Sequence, residues 1–254
     1  MKLRRYVAYS IILALVVTAS SPLFVRNPLF YSPVERTRPA KAALIDELAM
    51  TNPDPYLVAN VTSTLTKAGY TIDYYGQKDI TVDLFRRLPS KGYGVVILRD
   101  HSTSLTGDVI ALVTSEPFDL GKYVNERSAG KIIQVPLDNS TYFGITPTFV
   151  RESMQGSFPN TVLVVMGCAG LANSEMAQAF VARGAEVYIS WNDVVFTNQT
   201  DGGTILLLQS MTTGHRVDEA VTWATENAPS NPGYSIQLEY YPLDQGGLIL
   251  NLVA

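Results

Sequence analysis

The two residues of this chain best suited to covalent chemistry each follow a short apolar run. Cys168, the only cysteine, ends the run that begins at residue 161, and His101, one of two histidines, ends the run that begins at residue 94. Continuous runs rich in Val, Ile and Leu are typical of buried strands in a parallel sheet. Because the carboxyl ends of such strands gather functional residues, a thiol and an imidazole 67 positions apart in sequence are expected to be neighbours. This pattern indicates a nucleophile and its acid/base partner.

Composition restricts the classes of function that remain open. The chain has 254 residues, of which 46% are hydrophobic and 17% charged, which is ordinary for a globular α/β domain and argues against extended disorder. The net charge is −4, and lysines and arginines cluster only at the N-terminus. Nucleic acid is therefore excluded as an expected partner, because phosphate binding needs a concentrated positive surface.

The N-terminus predicts a membrane anchor. Residues 1–5 carry three basic side chains, and residues 6–25 carry no charge. About 20 apolar residues span a bilayer as a helix, and a basic flank stays cytoplasmic. We therefore expect a cytoplasmic tail at 1–5, a signal anchor at 6–25 and an extracytoplasmic C-terminal domain at the cell membrane. The alternative is a cleaved signal peptide and a secreted domain, with small residues at 19–21 as the cleavage site, although Pro22 disfavours cleavage there.

The remaining sequence predicts one domain. Residues 26–40 contain three prolines without helical periodicity, which indicates an extended spacer. From residue 41 to 254, alternating strand and helix patterns favour a doubly wound α/β domain with a mostly parallel sheet and helices on both faces. Strands are predicted at 42–46, 71–75, 94–98, 109–114, 131–135, 162–166, 186–190, 235–241 and 248–253. Helices are predicted from the turn at 52–55 to Gly69, and at 81–88, 174–183, 203–213 and 217–228. The rest of 114–160 has no clear pattern.

Two windows of the sequence resemble a known superfamily. The stretch Val-Val-Ile-Leu-Arg-Asp-His101-Ser and the stretch Val-Leu-Val-Val-Met-Gly-Cys168-Ala-Gly are similar to the His and Cys strand ends of the caspase-like (clan CD) cysteine peptidases. That group includes caspases, legumains, gingipains and separases. Residues 167–191 look most like the CHAT branch, where the cysteine precedes a helix ending Ala-Phe-x-x-x-Gly-Ala and a strand ending in Trp. The resemblance covers roughly 41–211 and implies a caspase-like fold.

The resemblance also implies roles for individual residues. His101 would be the general acid/base and Cys168 the nucleophile of an endopeptidase acting on a polypeptide substrate. The backbone N–H groups of Ser102 and Cys168 would bind the oxyanion. The family usually has glycine where this chain has Ser102, so we expect that side chain to narrow the approach or restrict the backbone.

Candidate specificity residues follow the strand predicted at 186–190. Asp193 could receive a basic P1 side chain, as could Asp201, and Trp191 and Tyr142 could line a cleft. Each also has a structural interpretation, as a core aromatic or as a carboxylate in an internal ion pair. For His215, between two predicted helices, a helix-capping or surface role is favoured.

Other chemistries lack a motif. The sequence has no Gly-x-Ser-x-Gly elbow, Walker loop, dinucleotide fingerprint or His-Glu-x-x-His, so neither a cofactor nor a metal is predicted. Two alternatives to a peptidase stay open. One is a catalytically inactive caspase-like module used for binding or sensing, and the other is an extracytoplasmic ligand-binding α/β domain. The second alternative requires His101 and Cys168 to lie far apart. Oligomeric state does not follow from the sequence.

Overall fold

A computed structural model describes residues 38–105, 109–230 and 235–250 of the protein. The predicted tail and anchor (1–25), most of the spacer and residues 251–254 lie outside these ranges. None of the helices within the described residues is long and apolar enough to cross a membrane.

The central element is a six-stranded sheet in the order β2-β1-β3-β8-β9-β10, in which only β10 runs antiparallel to its neighbour. Its strands are β1 (Lys41–Asp46), β2 (Thr71–Gly76), β3 (Val95–Arg99), β8 (Thr161–Met166), β9 (Ala185–Trp191) and β10 (Leu238–Tyr241). The order of the strands reverses at β1, because β2 lies on one side of it and every later strand of the sheet on the other. The prediction of a mostly parallel α/β sheet is confirmed.

Helices cover both faces of this sheet. They are α1 (Pro55–Lys67), α2 (Val82–Arg87), α4 (Pro147–Glu152), α5 (Glu175–Ala182), α6 (Thr197–Thr212) and α7 (Val217–Asn227), whereas α3 (Val124–Ser128) buries no residue and packs against residues 132–137 outside this sheet. Ala42 and Leu44 of β1 pack in a core with α1, α6 and α7, and Ala43 and Ile45 pack in a second core with α2, α4 and α5. A strand buried on both sides reads as a continuous apolar run, which is why these strands were predictable.

A second sheet was not predicted. Four antiparallel strands in the order β4-β5-β7-β6 are inserted between β3 and β8: β4 (Ser102–Leu105), β5 (Val109–Pro117), β6 (Ile132–Leu137) and β7 (Ser140–Ile145). Pro136 in β6 and Gly144 in β7 interrupt the alternating pattern that marks a strand. Gly144 is required by the packing, since a Cβ there would lie 2.7 Å from Val135 Cγ2. The unassigned segment 114–160 therefore completes this sheet and supplies α3 and α4.

Helix α6 begins six residues before the predicted start at Gly203. Paired glycines usually disfavour a helix interior, so the helix was predicted to start only at the second of them. In the structure Gly203 lies against the core ring of Trp191, and a Cβ would come within 2.7 Å of Cζ2. Glycine at this position lets the helix approach β9 closely.

The C-terminal part differs from prediction in one further respect. The strand predicted at 235–241 is present in shortened form as β10. Within the described part of 248–253, an isolated bridge between Arg216 and Ile249 replaces the predicted strand.

The chain enters β1 from the amino edge of the six-stranded sheet. Arg38 donates to the carbonyl of Asn160, before β8, and pairs with Glu186 in β9. Gly94, at the start of β3, allows this passage, because a Cβ would lie 2.2 Å from the carbonyl oxygen of Pro39. Residues 38–40 are thus fixed at the edge opposite to the carboxyl ends of β3 and β8.

Replacing Gly203 by Ala tests the close contact between α6 and β9. Alanine favours a helix by about 1 kcal/mol over glycine, but the added methyl must displace the fully buried Trp191 ring. We expect Gly203→Ala to lower the free energy of unfolding by about 1–3 kcal/mol in chemical denaturation. Gly247→Ala, with no atom within 4 Å of the new Cβ, is the control and should be near neutral. A stabilised Gly203→Ala protein would contradict this account.

Candidate active site

His101 and Cys168 occupy equivalent positions after two neighbouring strands. Arg99 of β3 is paired with Met166 of β8, and each functional residue lies two positions beyond its member of that pair. Paired parallel strands run about 4.8 Å apart, and Asp100 N–H donates to the Met166 carbonyl at 3.4 Å just past the strand ends. The structure therefore brings the two loops side by side at the carboxyl edge.

A side-chain hydrogen bond joins the two loops directly. The Ser102 hydroxyl donates to the carbonyl oxygen of Cys168. Gly167 makes room for this contact, since a Cβ there would lie 2.5 Å from Ser102 Oγ and 2.6 Å from the Asp100 carbonyl oxygen. Of the two expected effects of the Ser102 side chain, this bond fits restriction of the backbone. It ties the backbone after β3 to the nucleophile candidate.

The Cys168 thiol is half-buried and faces the segment that follows β9. Its Sγ lies 3.5 Å from the Val195 carbonyl oxygen, to which it donates. The next residue, Ala169, has a left-handed backbone with φ of 55°, and its N–H donates to the Asp193 carbonyl at 2.9 Å. A left-handed residue that is not glycine is uncommon and often marks a functional turn. The thiol is therefore held in a sharp turn at the sheet edge.

Two backbone N–H groups of the histidine and cysteine loops are unpaired within the part of the chain that the structure describes. Val113 N–H donates to the His101 carbonyl at 3.1 Å, so Ser102 and Leu112 form a pair without direct hydrogen bonds. The Ser102 N–H consequently points away from β5, and β4 is an edge strand. Within the described ranges, no group accepts from the Cys168 N–H either. Among the described residues, the Cys168 N–H thus has no acceptor, and the Ser102 N–H has none on β5.

The His101 ring is oriented by Thr51, which follows the short 3₁₀ turn Glu47–Met50 after β1. Thr51 Oγ1 and His101 Nε2 are 3.1 Å apart and hydrogen-bonded. Burial lowers the pKa of the imidazole, the carboxylate of Asp138 opposes this shift, and the Arg99 guanidinium adds to it. The ring is therefore neutral near pH 7 and able to accept a proton. Within the described side chains, no hydrogen bond joins this ring to the Cys168 thiol.

Two buried carboxyl groups fix the His101 backbone. Glu47 Oε2 accepts from the His101 N–H at 3.1 Å, and Asp100 Oδ1 accepts from the Val113 N–H at 2.9 Å. Burial raises the pKa of Glu47 to about 7, an effect that the His101 N–H opposes and the neighbouring Asp46 charge strengthens. Burial and the Glu47 charge raise the pKa of Asp100 well above its usual value.

Arg99 joins three elements immediately before the histidine. Its guanidinium donates to both Asp201 oxygens of α6, at 2.7 and 2.8 Å, and to Asp46 Oδ1 of β1 at 2.8 Å. A further bond reaches the Asn52 carbonyl at 3.0 Å. The side chain is 1% exposed. Asp201 is thus committed to an internal ion pair, which corrects the suggestion that it receives a substrate side chain.

The remaining predicted residues lie in different environments. Trp191 is fully buried and donates from Nε1 to Thr200 Oγ1 at 3.0 Å, so its ring belongs to the core and does not line a cleft. Asp193 is exposed beside the thiol turn, with its Oδ1 accepting from the Val194 N–H at 2.7 Å. Tyr142 is half-buried in β7. His215 Nδ1 lies 3.2 Å from the Ser210 carbonyl, a contact typical of a helix C-cap.

Sequence reasoning missed Glu47, Thr51 and Arg99 as parts of this site. Glu47 and Thr51 follow β1 at the same carboxyl edge as His101, so the rule that found the histidine also applies to them. Their signal was weak because acidic and hydroxyl residues are common in turns. Arg99 was noted only as a neighbour of the histidine, since burial of an arginine is not visible in a sequence.

Comparison with known proteins gives a structural likeness alone. No protein-family model matches the chain, and no curated protein matches it. The solved structures that the fold resembles include the crystal structure of the Arg-specific cysteine proteinase gingipain R. The TM-score is 0.48 and the identity 12%, over 84% of this chain and 48% of that one. This chain thus spans about half the length of that proteinase chain.

Removing the Arg99 charge should destabilise the protein strongly. Arg99→Met leaves Asp46 and Asp201 as buried carboxylates without their cation. Breaking such a pair typically costs about 3–5 kcal/mol, which denaturant titration at pH 7 would measure. Arg87→Met, which removes an exposed ion pair with Asp83, should change stability by less than about 1 kcal/mol. Equal effects of the two substitutions would contradict the central role of Arg99.

Glu47 should make stability depend on pH. Its pKa rises from 4.5 in the unfolded chain to about 7 in the fold, so the native state favours the protonated form. The stabilisation is complete below pH 4.5 and is lost as pH rises through 7. Glu47→Gln keeps an acceptor for the His101 N–H and cannot ionise. We expect it to match wild type near pH 4 and to exceed it by up to about 3 kcal/mol at pH 8. Parallel stability curves for the two proteins from pH 4 to 8 would disprove the assignment.

Proposed function

We propose that the protein is a caspase-like cysteine endopeptidase that hydrolyses peptide bonds through His101 and Cys168. The observation that carries the proposal is the hydrogen bond from the Ser102 hydroxyl to the Cys168 carbonyl, which joins the histidine and cysteine loops at one edge of the sheet. An imidazole and a thiol at adjoining strand ends, with a third group orienting the imidazole, are the groups that nucleophilic catalysis uses.

Each step of the reaction has a group suited to it. The imidazole takes the thiol proton, and the Cys168 thiolate attacks the peptide carbonyl carbon. The negative charge that forms on the carbonyl oxygen is received by the unbonded N–H groups of Ser102 and Cys168. The imidazolium then protonates the amine as the C–N bond breaks, which leaves a thioester. Water, deprotonated by the same imidazole, hydrolyses the thioester and regenerates the thiol.

In the structure the Cys168 thiol and the His101 imidazole are not hydrogen-bonded to each other. The hydrogen bonds that each makes instead are compatible with an active site that has no substrate bound. The thiol donates to the Val195 carbonyl, and Nε2 of His101 is bonded to Thr51. With Nε2 occupied, Nδ1 is the ring nitrogen left to exchange a proton with Cys168. Catalytic hydrogen bonds are often loose without substrate and tighten in the complex.

Asp193 is the residue we propose as the receptor for a basic P1 side chain. Its carboxylate is exposed, and its backbone carbonyl accepts from the residue that follows the nucleophile. A carboxylate so placed would pair with an arginine or lysine of a bound peptide. Asp201 does not compete for this role, because Arg99 holds both of its oxygens.

The proposal extends to location. Residues 6–25 would anchor the protein in the cell membrane as a single span, with the domain from residue 41 extracytoplasmic. This part rests on the sequence alone. Cleavage of the segment would give a secreted form.

Two other functions were compatible with the sequence. A ligand-binding α/β domain unrelated to peptidases requires His101 and Cys168 to lie far apart, and the joined loops argue against it. A catalytically inactive caspase-like module would keep the same geometry without chemistry. Reactivity of the thiol separates that alternative from the peptidase.

Covalent labelling tests the dyad. Acyloxymethyl-ketone probes with Arg, Lys, Asp or Asn at P1 would be applied to the full chain. We expect labelling that is abolished in Cys168→Ala and lowered at least about 100-fold in His101→Ala. His215→Ala, which changes the other histidine, is the matched control and should label like wild type. Labelling that ignores His101, or none at all in a folded protein whose thiol also resists a small alkylating agent, would favour the inactive module.

Substitution of Asp193 tests the P1 pocket separately. Asp193→Asn should lower kcat/KM for substrates with P1 Arg or Lys by about 10- to 100-fold, because a charged pair is replaced by a neutral contact. Cleavage after uncharged residues should change little. Asp244→Asn, an exposed aspartate in the turn after β10, is the control. An unchanged preference for basic P1 residues would assign the pocket elsewhere.

A further inference from the structure

We propose that Glu47 is a positioning residue for His101: its buried carboxyl group accepts from the His101 N–H and so keeps the histidine backbone where exchange with Cys168 requires it. The inference rests on the proposed function and adds a residue that regulates the position of His101 in the same site. Glu47 has no role in the reaction steps above. It is 1% exposed, far more deeply buried than an isolated carboxyl group usually is.

The geometry makes Glu47 the main restraint on the N-terminal side of the histidine. Its Oε2 accepts from the His101 N–H at 3.1 Å. On the other side, the His101 carbonyl accepts from Val113 N–H, and the ring is held by Thr51. Glu47 and Thr51 belong to the same short turn and its C-cap. One turn after β1 therefore holds the histidine both by its backbone and by its ring.

The charges around this turn are unbalanced. Arg99 is the buried cation of the cluster, and its donors are used by Asp201, Asp46 and the Asn52 carbonyl. Among the described contacts, Arg99 donates no hydrogen bond to Glu47 or Asp100, although its charge partly offsets the rise in the Glu47 pKa. The elements packed against the turn contain these titratable or charged groups: Asp46, Asp73, Tyr74, Tyr75, Lys78, Asp79, Arg99, Asp100, His101 and Glu116.

Ionisation of Glu47 at this buried position is therefore energetically unfavourable. The side chain is 1% exposed, and the Asp46 charge disfavours its ionisation more than the Arg99 charge favours it. Burial of an uncompensated charge drives the group toward solvent or toward protonation. The pKa of about 7 for Glu47 means that the proton is lost in the neutral range. Above that range, the turn is expected to open and release the His101 N–H, so the histidine loses its restraint.

Enzyme kinetics of the full chain provide the first test. Glu47→Ala should lose at least about tenfold in kcat with little change in KM, because it removes a restraint without touching the substrate. Glu47→Gln should retain activity at pH 6 and lack the decline that wild type shows above pH 7. Glu226→Gln, an exposed position on α7, should keep the wild-type profile. A wild-type pH profile in Glu47→Gln, or full activity in Glu47→Ala, would overturn the proposal.

A second measurement separates this proposal from the proposed function. The chain has two histidines, so ¹⁵N-histidine labelling gives two backbone amide signals, and His215→Gln identifies the one from His101. The His101 amide proton should show a step with an apparent pKa near 7 in wild type that is absent in Glu47→Gln, where only the step from the His101 ring at lower pH remains. An amide that does not titrate, or titrates alike in both proteins, would refute the role of Glu47. Absence of turnover in wild type would instead refute the peptidase function, and the amide signal would still decide the role of Glu47.

Discussion

The buried guanidinium of Arg99 is the interaction on which the geometry of the site depends. It binds carboxylates from β1 and α6 and a carbonyl from the segment before α1, so it fixes three elements at the carboxyl edge of the sheet. His101 follows it by two residues. A buried ion pair gains little over well-packed apolar side chains in stability, but it allows one arrangement of its partners. Because only Asp100 separates Arg99 from His101, the fixed position of Arg99 also restricts the position of the histidine.

The two sheets meet at the histidine, which makes the position of His101 a property of the whole domain. Its N–H is held by a turn of the parallel sheet, and its carbonyl is held by β5 of the antiparallel sheet. Ser102 then starts β4 and also binds the cysteine loop through its hydroxyl. A sheet inserted directly after the histidine therefore adds restraint at the site, in addition to the core that its own strands form with α2, α4 and α5.

The predictable part of the fold is the part buried on both faces. Strands β1, β3 and β8 are continuous apolar runs, and helix α1 lies between Pro55 and Gly69, so their positions follow from pattern alone. The antiparallel sheet could not be predicted from the pattern, because its strands contain Pro136, Gly144 and exposed polar residues. At the site, His101 and Cys168 were found from their strand ends. Glu47 and Arg99 were not, since what distinguishes them is burial and pairing, which arise from residues distant in sequence.

The route of the chain into β1 has a mechanical consequence. Arg38 is clamped to Asn160 and Glu186 at the amino edge, and strands of six residues separate that edge from the histidine and cysteine by about 20 Å. A pulling force on the chain before Arg38 therefore acts on the domain at the edge opposite to the Cys168 thiol. Tension applied there would load the start of β1 and the Arg38 ion pair first, leaving the opposite edge open to a large incoming chain.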